Sequence, residues 1–240
     1  MRMSRRIAAV AALGALIMGF RRYRRWHLQW GATDDEARRF LPGDELIEDP
    51  HFAPTRAMTI DAAPEAVWPW LVQIGYGRAG FYSYDLLDNL GRGRSAERIE
   101  PALQALAVGD RIPMAPIVSE ETAFRVVAMD EPHSMVWSKP ASSWAWVLER
   151  LPGERTRLIT RVRMRYRWRR PTVVADLVLM ELGDFWMMRK ELRSIGERAE
   201  HETSTAARVA GEEASDGRAE RCDGDDRAGQ GGHDRSSGVR

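Results

Sequence analysis

Apolar positions along the chain change their spacing several times, and each spacing predicts a different element. Residues 7–20, IAAVAALGALIMGF, are apolar without interruption. Residues 55–60 read as a first strand, closed by Thr59 and Ile60 and stopped by residues 61–64. Behind Pro64, Val67, Trp70, Leu71 and Ile74 recur at three- and four-residue spacing, which predicts a short helix with one apolar face. Gly75, Gly77 and Gly80 end it. Ser83 then stands where an N-cap belongs, with Leu86, Leu87 and Leu90 as the apolar face of a second short helix. Two short helices after one strand predict a wedge or lid.

Downstream, residues 111–114, 124–129, 135–138, 143–151 and 156–168 read as strands separated by short turns, without helices between them, and predict an antiparallel meander. In the last of these, Leu158, Thr160, Val162, Met164, Tyr166 and Trp168 share one face, and Arg157, Arg161, Arg163, Arg165 and Arg167 the other. The expectation is a strand buried on its first face, with the arginine row solvated. Trp144, Trp146 and Leu148 also share a face, which places the two tryptophans with Tyr166 and Trp168. Pro171 ends the sheet, and Val174, Val178, Leu182, Phe185, Met188, Leu192 and Ile195 carry one long helix to about residue 199. From residue 202 onward there is no Leu, Ile, Met or aromatic, so residues 201–240 read as a disordered polar tail.

The N-terminal third is organised differently. Thr33 with Glu36 is a capping-box arrangement and predicts a short helix through residue 39, after which LPGDE turns the chain. The apolar run at 7–20 is shorter than the roughly 20 residues that cross a bilayer comfortably. Arginines flank it, Arg5 and Arg6 before and Arg21, Arg22, Arg24 and Arg25 after; RRYRR stands where a secretory cleavage site would need small residues. The remaining readings are a short membrane anchor with snorkelling arginines, a helix lying on the membrane surface, or a soluble helix packed on the domain. The excess of following arginines over preceding ones sets the C-terminal domain in the cytoplasm if the segment spans. Three regions result: 1–29, a basic-flanked apolar segment; 30–200, a folded domain; and 201–240, the tail.

Composition narrows the function classes. The net charge of +1 offers no concentrated positive field for nucleic acid. A single cysteine, Cys222, excludes an intrachain disulfide framework, and the five histidines show no HxxH or HExxH spacing, so no metal site is expected. Residues 75–80, GYGRAG, match GxGxxG, but they follow a helix rather than a strand; they read as a hinge between two helices, and no cofactor is expected.

Strand, two short helices, meander and long helix together make an α+β helix-grip arrangement, a curved antiparallel β-sheet wrapped around the C-terminal helix. The stretch TIDAAPEAVWPWLVQIG at 59–75 resembles the opening of the SRPBCC superfamily (START, Bet v 1 and polyketide cyclase/dehydrase-like proteins), with APEAVW after the first strand as the shared signature. With WGAT at 30–33, LPGDE at 41–45, GFYSYD at 80–85 and TRL at 156–158, the chain looks like an uncharacterised bacterial branch, the likeness covering about residues 30–199. The resemblance implies the fold and a cavity between sheet and helix; the superfamily includes lipid carriers, cyclases, hydrolases and binding modules.

Residues expected near that cavity are Trp70, Gln73, Tyr82, Tyr84, Trp144, Trp146, Tyr166, Glu181 and Phe185, a ligand-binding set for an apolar small molecule such as a lipid, quinone or polyketide. Asp184 is a further carboxylate near the helix stripe. Tyr82, Tyr84 and Asp85 are the acid/base candidates if the protein is a cyclase, dehydratase or hydrolase. The same aromatics equally fill a packed core, FYSYD equally serves as structure, and a partner-gripping interaction module is a third class. The sequence does not specify an oligomeric state.

Overall fold

The computed structural model describes residues 2–88, 91, 94–166 and 179–228. Helix α1 (Arg2–Leu28) is followed by α2 (Asp34–Arg38), a 3-10 turn (Asp44–Leu46), strand β1 (Thr55–Ile60), α3 (Pro64–Val72) and α4 (Asp85–Asp88). After a second 3-10 turn (Pro101–Leu103) come β2 (Arg111–Pro113), β3 (Ala123–Asp130), β4 (Ser134–Lys139), β5 (Ser142–Leu151) and β6 (Arg155–Met164), then a π-helical turn (Leu179–Gly183) and α5 (Asp184–Ala228). Two compact units divide the chain, Met1–Glu200 and His201–Arg240.

The strands form one antiparallel sheet in the order β1-β6-β5-β4-β3-β2. The sheet is curved and unclosed, with a register shift between Val126 and Ala128 in β3. Its inner face and α3 build the main core with α5, from which Met188, Leu192, Ile195 and Ala199 enter. Gly196 is where α5 meets β1: a Cβ there would stand 3.0 Å from Met58 Cε. This is the helix-grip arrangement the element order predicts.

The outer face differs from expectation. Leu158, Thr160 and Val162 are inward as the alternation requires, but Arg157, Arg161 and Arg163 opposite are covered, because residues 29–47 lie across them; Arg165 is exposed as expected, and Arg167 lies outside the described residues. Arg161, 4% exposed, donates to Asp44 Oδ2 and to the carbonyls of Glu36, Ala37 and Arg39. Arg157 grips Glu36 at 2.7 and 2.8 Å, and Glu36 closes the expected capping box with Thr33. Gly31 is needed where this strap touches β1: its φ is +73°, and a Cβ would sit 2.0 Å from the Ala57 carbonyl oxygen.

Other differences are local. The second short helix is a single turn, Ser83 Oγ takes the Tyr84 N–H rather than capping it, and Leu86 is exposed. Trp168, Val174 and Val178 lie outside the described residues. Helix α5 continues past residue 199 as far as Ala228, inside the stretch 201–240 expected to be disordered, of which residues 229–240 lie outside the described residues. Glu, Ala and Arg, all good helix formers, sustain it, while residues 201–209 are exposed throughout and bury nothing.

In α1, residues 11–22 are exposed on every side, so this part of the helix does not pack on the domain. Leu13, Leu16, Ile17, Met18 and Phe20 are among the exposed large apolar side chains. Among the described residues no helix is long and apolar enough to cross a membrane. A spanning helix is therefore not supported. Packing on the domain begins at Tyr23 and His27, whose rings lie 4.9 Å apart, and Trp26 meets Phe185 of α5 at 4.8 Å.

Candidate ligand-binding site

Period-2 alternation on β4 and β5 sends Trp137, Trp144 and Trp146 to the same inner face. Trp144 and Trp146 stack at 5.0 Å, and Trp137 meets them edge-on at 5.2 and 5.8 Å. Phe124 of β3 extends the layer. Trp70, on the buried face of α3, belongs to the same core, with its ring edge-on to Tyr82 at 5.8 Å.

The indole donors are unequal. Trp144 Nε1 donates to Thr160 Oγ1 at 2.8 Å. The N–H groups of Trp70, Trp137 and Trp146 are buried without a partner among the described residues. A buried donor left unpaired costs on the order of 1–3 kcal/mol. The inner face and α3 thus bury aromatic rings in the core together with three indole donors that have no partner among the described residues.

Gln73 and Tyr82 stand beside this layer but are committed to structure. Gln73 Nε2 donates to the Tyr82 hydroxyl at 2.8 Å and to the Arg98 carbonyl, and its Oε1 accepts from Glu100 N and Gln104 Nε2. The Tyr82 hydroxyl in turn donates to the Trp70 carbonyl. Burial pushes the Tyr82 phenol well above its ordinary value; the Gln73 hydrogen bond and the Arg198 guanidinium, 4.9 Å over its ring, oppose this, and Glu191 adds to it. It stays neutral at physiological pH.

Of the acid/base trio, Asp85 and the Tyr82 backbone share Ser95 as a partner. Asp85 accepts from the backbone N–H and hydroxyl of Ser95 at 2.9 and 2.8 Å, and that hydroxyl also accepts the Tyr82 N–H. Burial raises the Asp85 carboxyl, but the Ser95 hydrogen bonds, with Lys190 and Arg94 nearby, outweigh it and the net shift is downward. Tyr84 is half exposed under the Lys190 ammonium, 4.2 Å from its ring centroid. The clasp closes over residues 75–80, where Gly75 and Gly80 exchange backbone hydrogen bonds. These glycines end α3 in a small closed loop, the corner expected between the two helices.

Glu181, Asp184 and Phe185 join a different group, where α1, β1 and the start of α5 meet. Arg24 binds Glu181 with Nη2 at 2.8 Å and Nε at 3.1 Å, and His27 Nε2 lies 3.4 Å from Glu181 Oε2. Arg56 donates to Asp184 at 2.6 Å and to the His27 carbonyl at 3.1 Å, with its guanidinium 5.7 Å from the Phe185 ring centroid. Burial lowers the His27 pKa, and Glu181 opposes it. This junction fastens the base of α1 to the domain. Tyr166, expected beside the tryptophans, instead stacks on His51 at 5.9 Å.

Trp137 and Arg56 were missing from the expected set. Both had a signal in the alternation: Trp137 shares the inner face through its pairing with Trp144, and Arg56 is in phase with Met58 and Ile60.

Among solved structures, the chain is similar to the self-sacrificing resistance protein CalC of Micromonospora echinospora (14% identity, 64% of this chain and 96% of that one, TM-score 0.41). It is also similar to NE0264 of Nitrosomonas europaea (11%, 63% and 96%, TM-score 0.39) and to a Polyketide_cyc-like protein of Corynebacterium glutamicum (14%, 60% and 80%, TM-score 0.30). No family model and no curated protein matches the chain. At these identities and TM-scores the fold assignment rests on strand order and helix packing. Among the described residues no group of His, Cys, Asp and Glu is arranged to hold a metal ion.

Proposed function

We propose that this protein binds an apolar small molecule bearing acceptor oxygens, a quinone, a polyketide or an oxygenated lipid, against the aromatic inner face of the sheet. The supporting observation is the trio of buried indole donors on Trp70, Trp137 and Trp146 that have no partner among the described residues. A ligand carbonyl reaching one of them recovers the roughly 1–3 kcal/mol its burial costs, while the stacked rings of Trp144 and Trp146 take the apolar body. A plain hydrocarbon chain would recover nothing from the donors. The exposed apolar stretch of α1 supports attachment to a membrane, where such a ligand is concentrated. A cyclase, dehydratase or hydrolase reading has less support, because Tyr82 and Asp85 already spend their hydrogen bonds on the loop clasp.

The test is isothermal titration of the full chain with decylubiquinone, alongside Trp146→Phe, which keeps a ring and loses the N–H. Saturable binding that weakens about tenfold in the variant is expected, the equivalent of roughly 1.4 kcal/mol. Absence of saturable binding to this probe and to a naphthoquinone overturns the proposal.

A further inference from the structure

The base of α1 carries a feature that binding in the grip does not use. Arg21, Arg22, Arg24 and Arg25 stand within little more than one turn, directly after the exposed apolar stretch that ends at Phe20. Arg24 is committed to Glu181, and Arg25 reaches Asp34 only at 3.4 Å in an exposed pair. Arg21 and Arg22 have no ion-pair partner among the described residues. Two clefts open at this level. One of about 680 Å³ combines Arg22 and Arg25 with Tyr23, Trp26 and Trp30; another of about 350 Å³ is bordered by Arg21, Arg24, Arg25 and Leu28. Trp26, although it touches Phe185, remains 48% exposed.

We infer that these clefts hold the headgroups of anionic phospholipids in the leaflet in which the exposed apolar residues of α1 are seated. The inference rests on the membrane attachment proposed above and adds to it a choice of lipid. The chemistry runs in register along the helix. Leu13, Leu16, Ile17, Met18 and Phe20 meet acyl chains, and the arginines follow at the depth where phosphates lie. Trp26 sits where amphipathic rings settle at the interface. Phosphate oxygens accept hydrogen bonds from Arg22 and Arg25 in the larger cleft, while its tryptophan walls take the glycerol and upper acyl carbons. An arginine near an anionic surface strengthens binding about fivefold, enough for Arg21, Arg22 and Arg25 together to decide the lipid preference.

Co-flotation of the full chain with phosphatidylcholine vesicles, and with vesicles also containing phosphatidylglycerol, separates the two ideas. The native chain is expected to float with both and to bind the anionic vesicles on the order of 100-fold more tightly. The triple variant Arg21→Gln, Arg22→Gln, Arg25→Gln should keep the binding to neutral vesicles and lose the preference, with an unchanged circular dichroism spectrum. The variant Leu16→Ser, Ile17→Ser, Met18→Ser should lose neutral binding. Equal binding of the native chain to both vesicles, or a preference that survives in the triple arginine variant, overturns the anionic-lipid inference and leaves attachment standing. Flotation of the native chain with neither vesicle overturns both.

Discussion

Arg161 and Arg157 show how far a residue's role departs from its letter. On an alternating strand they fall on the face opposite the core, where charged side chains are ordinarily wet, yet each is held by the strap through carboxylates and carbonyls. Nothing local in the strand announces the strap, because its partners lie more than 100 positions away in the chain. Tyr82 and Asp85 were ambiguous for a different reason: their partners Gln73 and Ser95 are near in the chain, but only the folded loop brings them into hydrogen-bond reach and decides between a clasp and a reactive group. Arg56, missing from the expected set, did carry a local signal in its phase with Met58 and Ile60.

The same residues set the acid response. Glu36 is held down to about 2 by the Arg157 hydrogen bond against burial. Its contribution is therefore complete above its ordinary 4.5 and is lost as pH falls toward 2. His27 is held below its ordinary 6.5 by burial, so the unfolded chain binds that proton first and stability declines as pH drops below 6.5. Urea midpoints should be flat just above neutrality, fall below pH 6.5, and fall again below 4.5. In His27→Phe, which preserves a ring against Tyr23 and Phe185, the first decline should vanish and the second remain. A variant that retains the first decline would remove His27 from the account.

At the scale of elements, periodicity located all six strands, α3 and the body of α5, because each buries one face against a neighbour and that requirement is written in local spacing. The short helix after α3 departs from its expected face at the one leucine described: Asp85–Asp88, tied to Ser95 through Asp85, leaves Leu86 in solvent, while the Leu87 side chain and Leu90 lie outside the described residues. The clasp can be tested through its glycines. A Cβ on Gly80, at φ +81°, would stand 2.6 Å from Ser95 Oγ, whereas one on Gly77, at φ +70°, meets open space. Gly80→Ala should destabilise by roughly 1–2 kcal/mol more than Gly77→Ala in urea denaturation, since both carry the cost of a left-handed backbone and only the first also collides. Equal losses would mean that the contact with Ser95 does not hold the loop.

For the whole molecule, the helix-grip architecture was visible in the order of the patterns, and the candidate site only in part. Trp70, Trp144 and Trp146 were expected on an inward face because aromatics there are conspicuous, and all three are buried in the core. Which indole donors are spare was not legible, since pairing is a property of three dimensions: Trp144 finds Thr160 across the sheet while Trp146, two residues on, finds no partner among the described residues. The exposed apolar stretch of α1 and the aromatic inner face of the grip belong to the same unit, and the proposed function joins them: a ligand drawn from a bilayer would bind the chain that the membrane holds. Native mass spectrometry of the full chain gently extracted from membranes tests that claim most directly. The account predicts a one-to-one complex with an apolar, oxygen-bearing small molecule that is lost in the Trp70→Phe, Trp146→Phe double variant while the variant stays folded. Only the bare protein mass, or an adduct that the double variant retains, would contradict it.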